Sequence, residues 1–172
     1  TNNELLLKLI NDILDLSKFE SGSVELKYEE FDLAEYFDSM ASSMKQRVTN
    51  PKVQLVAVNP YSVCRVRLDK NRVAQVVTNY VTNAIKYTPQ GTIEMGYEVV
   101  DAGIRLYVRD TGIGIPEEKK RKVFHRFEKL DEFAQGTGLG LSICKAITES
   151  MGGSVGYESE YSRGSHFWAV LP

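Results

Sequence analysis

The chain has 172 residues, 42% hydrophobic and 26% charged, enough to bury the core of one domain with a modest extension; two full domains and a mainly disordered chain are excluded. Its 21 Lys and Arg against 23 Asp and Glu leave a net charge of -2, which offers nothing broadly basic to nucleic acid or to an anionic membrane. Cys64 and Cys144 lie far apart with no CxxC or Cys/His cluster, which argues against a disulfide framework or zinc site and for two buried thiols in a reducing compartment.

From Asn3 to about Phe19 the residues are helix formers, with Leu6, Leu9, Ile13 and Leu16 at the three-four spacing of a coiled-coil or bundle seam. Leu5, Ile10 and Leu14 widen that stripe toward bundle packing, although a helix docked on its own domain also fits. Because Thr1 opens inside this pattern, the chain is expected to be a piece of a longer protein. No apolar run approaches the roughly 18 to 20 residues that span a bilayer, and no signal peptide opens the chain, so this stretch is expected to be soluble.

Ser21-Gly22-Ser23 breaks the helix and marks a boundary, with 1–22 as the end of a bundle helix and 23–172 as a second unit. Val24, Leu26 and Tyr28 alternate with Glu25, Lys27 and Glu29 as in a half-exposed strand. Asp32, with Glu35 three residues on, predicts a helix start, and Leu33, Phe37, Met40 and Met44 form its core stripe up to Asn50-Pro51. Two short strands, Val53 to Val58 and Cys64 to Leu68, precede a long helix capped by Asp69 and running to about Tyr87. A hairpin follows, Thr92 to Val100 and Ile104 to Arg109. The turn Asp110 to Pro116 then leads into a charged helix to about Glu128. A polar loop from Lys129 to Gln135 reaches the run Gly136 to Gly140, which opens a helix through Met151, and strands Ser154 to Ser159 and Ser165 to Leu171 close the chain. Without regular βαβ alternation this predicts an α+β, two-layer α/β sandwich: one mixed sheet with helices on one face.

Three stretches carry chemistry. On the long helix, Gln75, Asn79, Asn83 and Lys86 form a narrow polar stripe beside the apolar side made by Val73, Val76, Val77, Tyr80, Val81, Ala84 and Ile85. Asn is a poor helix former, so two of them one turn apart suggest ligand contact, with exposed or capping asparagines as the other reading. Amide oxygens suit Mg²⁺ that keeps water and phosphate in its shell, and Lys86 can meet phosphate as a point charge. Asp110, at a strand end before Gly112 and Gly114, can accept a hydrogen bond from the exocyclic amine of adenine, while an ordinary turn remains open. The run Gly136 to Ser142 at a helix start offers free N–H groups to phosphate, although it is neither a Walker A motif nor a dinucleotide fingerprint.

In this order the motifs resemble the catalytic, ATP-binding domain of sensor histidine kinases, in the Bergerat-fold superfamily with gyrase, MutL and the heat-shock chaperone ATPases. Gln75 to Thr88 resembles the N box, Asp110 to Gly114 the first glycine box, Val123-Phe124-His125-Arg126-Phe127 the F box, and Gly136 to Leu141 the second glycine box; Gly152-Gly153 and Gly164-Ser165-His166-Phe167 also fit. The resemblance implies that Asn83, helped by Asn79, binds Mg²⁺, that Lys86 contacts phosphate and that Tyr87 lies against adenine. It also implies that Asp110, with Gly112, Gly114 and Ile115 of its turn, holds the base. Arg126 would reach the phosphates from a lid anchored by Phe124 and Phe127, and Gly136, Thr137, Gly138, Leu139, Gly140 and Leu141 would wrap the triphosphate.

Hydrolytic branches resembling gyrase carry a Glu four positions before the metal-binding Asn, where it acts as a general base. Here that position is Asn79, so rapid hydrolysis is not expected. By resemblance, the phosphoryl acceptor is a histidine on a segment absent from this chain, since neither His125 nor His166 stands in a His-Glu or His-Asp pair and both read as structural. The resemblance implies a bacterial, homodimeric two-component kinase, a membrane-anchored receptor whose cytoplasmic part this is, passing phosphate to a response-regulator receiver. A catalytically silent nucleotide-binding scaffold and an anti-sigma-type Ser/Thr kinase on the same fold are the alternatives.

Overall fold

The computed structural model describes residues 2–122 and 139–172. Helix α1, Asn2–Glu20, runs into a two-stranded antiparallel ribbon of β1, Tyr28–Asp32, and β3, Arg65–Asp69. The main sheet contains β2, Val53–Val58; β4, Gly91–Val100; β5, Gly103–Asp110; β6, Ser154–Glu160; and β7, Gly164–Leu171. Its order is β2-β4-β5-β7-β6; β2 and β4 are parallel and the other neighbours antiparallel. Helices α2, Leu33–Arg47, α3, Lys70–Tyr87, and α4, Gly140–Ser150, pack on the sheet. The α+β sandwich with a mixed sheet is therefore present.

Alternation sets the layers. On β5, Ile104, Leu106 and Val108 are buried while the residues between them are not, and on β7 Phe167, Ala169 and Leu171 repeat the pattern. These side chains meet Val73, Val76, Val77, Tyr80, Val81 and Ala84 of α3 in one core. The parallel pairing of β2 with β4 needs a long crossover, and α3 lies within it.

Three expectations are corrected. The strand expected over Val24 to Glu29 begins only at Tyr28, because pairing ends where β3 turns into α3. There Asp69 caps α3 by accepting from Arg72 N at 3.2 Å, and its second oxygen accepts from Lys27 N at 2.9 Å. The seam expected on α1 divides between two faces. Leu16 and Phe19 are buried against the domain with Leu9 partly so, whereas Leu6, Leu7, Ile10, Ile13 and Leu14 are exposed. The charged helix after Pro116 is, as far as it is described, a 3₁₀ segment, Glu117–Lys122; Phe124, His125, Arg126, Phe127 and the loop Lys129 to Gln135 lie outside the described residues.

Candidate functional site

The site is built on the C-terminal half of α3. Its apolar side is held by the sheet, which leaves Asn79 and Asn83 half-buried at the margin and Lys86 exposed. Gln75, the first member of the stripe, faces elsewhere: it donates to Asp15 of α1 at 3.2 Å and accepts from Arg72 at 2.7 Å. Asn79 faces α4, where its amide hydrogen-bonds the Cys144 sulfur. The Cys144 thiol directs its own proton to the Val76 carbonyl at 3.6 Å, so Asn79 is the donor and its carbonyl oxygen is left over.

Asp110 closes β5 and is buried. Its Oδ1 accepts from Gly112 N at 2.9 Å and from Ser165 N at 3.3 Å. Burial pushes the carboxyl up to about 6; the hydrogen bonds from Gly112, Ser165 and the Thr88 hydroxyl oppose the rise. The Thr88 hydroxyl is itself buried beside this carboxylate.

The turn after Asp110 lies directly on the end of α3. Ile113 N donates to the Tyr87 carbonyl at 3.0 Å, and a Cβ at Gly112 would collide with that carbonyl. Gly114 has φ +72°, and a Cβ there would strike the Glu160 carbonyl. Both glycines are thus required by close approach of the protein to itself, a reason independent of any ligand. Ile115 is fully buried and Tyr87 nearly so.

At the start of α4, Leu139 occupies the cap position without a side-chain hydrogen bond to the first turn, and Gly140 has open space where a Cβ would be. Leu139 and Leu141 are buried beneath it. A helix start without a side-chain cap is a favourable position for an anion. Helix α3 thus carries Asn79, Asn83, Lys86 and Tyr87; its end meets the Asp110 turn with Gly112, Gly114 and Ile115, and it packs against α4, whose start holds Leu139, Gly140 and Leu141. Arg126, Phe127, Gly136, Thr137 and Gly138 lie outside the described residues.

His166 does not join them. Ser165 and Phe167 face the helices, so His166 points from the opposite face of the sheet, where its ring meets Tyr107 and Trp168. Burial, followed by Arg109 and Arg105, pushes it below the ordinary histidine value. Among the described residues no group of three His, Cys, Asp or Glu side chains could hold a metal; a Mg²⁺ ion accepts neutral amide and phosphate oxygens as ligands. The Asn79 and Asn83 amides fit that preference. No described helix is long and apolar enough to cross a membrane. Ser159, one of two serines on β6, carries no sequence signal of a role, and Thr88 and Ser165 stand out only as members of longer runs.

Comparison with known proteins gives concordant results. Residues 68–172 match the family described as histidine kinase-, DNA gyrase B-, and HSP90-like ATPase. The chain is 37% identical over 95% of its length to two-component system protein A of Emericella nidulans, and 36% identical over 99% to the circadian input-output histidine kinase CikA of Synechococcus elongatus. It spans 26% and 24% of those proteins. Among solved structures, ShkA in complex with AMPPNP superposes with a TM-score of 0.85 at 29% identity, covering 97% of this chain and 35% of that one. The nucleotide-free catalytic domain of histidine kinase ThkA gives 0.74 at 32% identity, covering 86% and 96%.

Proposed function

The chain belongs to the family of histidine kinase-, DNA gyrase B- and HSP90-like ATPases, and from that membership we propose that it binds Mg-ATP as the catalytic domain of a two-component sensor histidine kinase. The observation that carries the assignment of the nucleotide to this region is Asp110. A buried carboxylate at a strand end, held by two backbone N–H groups, retains acceptor capacity suited to an adenine amine.

Tyr87 and the Asp110 turn bound the base, Lys86 and the start of α4 attract the phosphates, and Asn83 with the Asn79 carbonyl holds the ion. Mg²⁺, when bound, neutralises charge on the phosphates. Asn79 has no basicity to activate water, which keeps the nucleotide intact for transfer to a histidine carried outside this chain and then to a receiver aspartate. Residues 1–22 belong to the dimerising bundle of a cytoplasmic catalytic part.

Calorimetric titration with ATP, with and without Mg²⁺, tests the binding step, and affinity that strengthens with the metal is expected. A histidine-bearing bundle segment supplied in trans tests the transfer step; the expected product is an acid-labile phosphoryl-histidine. No binding in either condition rejects the reading.

A further inference from the structure

Ser159, on β6, holds together three segments around Asp110. Its Oγ accepts from Ile115 N at 2.8 Å, lies 3.1 Å from the Gly164 carbonyl and lies 2.9 Å from Ser165 Oγ. A hydroxyl has one proton and two lone pairs. Donating to Gly164 O while accepting from Ile115 N and Ser165 Oγ uses all three. Ile115 is near the far end of the turn that begins at Asp110, and Gly164 and Ser165 open β7.

The hairpin does not need this hydroxyl, because Ser159 already faces Ser165, and Glu160 faces Gly164, in the backbone ladder. What the hydroxyl adds is the bond to the Asp110 turn. From the same hairpin Ser162 N donates to the Ile113 carbonyl at 2.7 Å, and Ser165 N donates to Asp110 Oδ1 at 3.3 Å. The turn is thus fixed at its carboxylate, its middle and its far end by one hairpin tip.

We propose that Ser159 is a positioning residue for nucleobase recognition: through Ile115 and Ser165 it sets the Asp110 carboxylate where a purine 6-amino group is accepted and a 6-oxo group is refused. The inference rests on Asp110 being the base-recognising residue. A 6-oxo purine presents a lone pair to the carboxylate instead of a proton, so discrimination depends on keeping that carboxylate close to the ring edge.

The test is calorimetric titration of the chain, and of its Ser159→Ala and Ser159→Thr variants, with the magnesium complexes of ATP, ADP and the 6-oxo analogue ITP. The wild-type chain is expected to prefer ATP over ITP by about tenfold or more, the scale of one well-placed hydrogen bond. Ser159→Ala is expected to weaken ATP and ADP alike with little effect on ITP, so that the preference collapses, and Ser159→Thr, which keeps the hydroxyl, is expected to restore it. If Ser159→Ala does not fold, Ser159→Cys, of nearly equal size but a weak acceptor, is read in its place with the same expectation. A variant lacking the hydroxyl that keeps the wild-type preference, or that weakens ATP and ITP equally, overturns the inference alone. A wild-type chain that binds neither nucleotide overturns the functional reading and this inference with it.

Discussion

Asp110 illustrates how burial and function oppose each other at a single side chain. Its folded-state value of about 6 lies above its ordinary 3.8, so protons favour the folded chain: the stabilisation is fully present below 3.8 and is lost as pH rises through about 6. The gap corresponds to about 3 kcal/mol. Without nucleotide, Asp110→Asn is therefore expected to raise the unfolding temperature near neutral pH, measured against wild type by calorimetry. Nucleotide binding has the opposite sign, because only the ionised carboxylate accepts the amine. Affinity for ATP and ADP is expected to fall together as pH drops below about 6, and in Asp110→Asn to be weak and nearly independent of pH over the same range. At Asn83, replacement by Ala removes an amide oxygen and no charge. Titrations with and without Mg²⁺ are expected to converge in that variant, whereas wild type responds to the metal.

At the scale of elements, the glycines separate what folding needs from what a ligand needs. Gly114 combines positive φ with a carbonyl where a Cβ would be, so Gly114→Ala is expected to cost at least about 2 kcal/mol, read as a fall in unfolding temperature. Gly140 has open space and lies in a helix, where Ala is favoured by about 1 kcal/mol. Gly140→Ala is expected to leave the unfolding temperature equal or higher yet weaken ATP, because the methyl group occupies the approach to the helix start.

Element identities were legible where periodicity was strong. Both caps, Asp32 and Asp69, and the apolar side of α3 follow from local chemistry, and Asp32 Oδ1 does accept from Ala34 N at 3.0 Å. Asp110 was legible as a carboxylate at a strand end before glycines, and it does close β5. The start of β1 was not legible, because it depends on where β3 stops. Nor was Ser159, whose partners lie on the turn after β5 and at the start of β7, or the role of Gln75, which faces α1 across 60 positions of sequence.

For the whole molecule, α1 presents one face to α3 and α4 and another to solvent. Phe19 lies 4.9 Å from the Arg72 guanidinium and Gln75 bonds Asp15, so the docked face is polar as well as apolar. The outer face carries Leu6, Ile10 and Leu14 at 56%, 47% and 54% exposure, an apolar stripe suited to a second helix. Sedimentation is expected to show concentration-dependent self-association that Leu6→Lys with Ile10→Lys abolishes, while ATP affinity stays as in wild type.

The position of β7 has a consequence for how the molecule is made. It is the last strand in sequence order, yet it stands inside the sheet, between β5 and β6. Asp110 gains its Ser165 partner only when β7 inserts, 55 positions further along. Closing that contact therefore costs more chain entropy than closing the β4–β5 hairpin, and the carboxylate pocket depends on a long-range pairing that the hairpin alone does not supply.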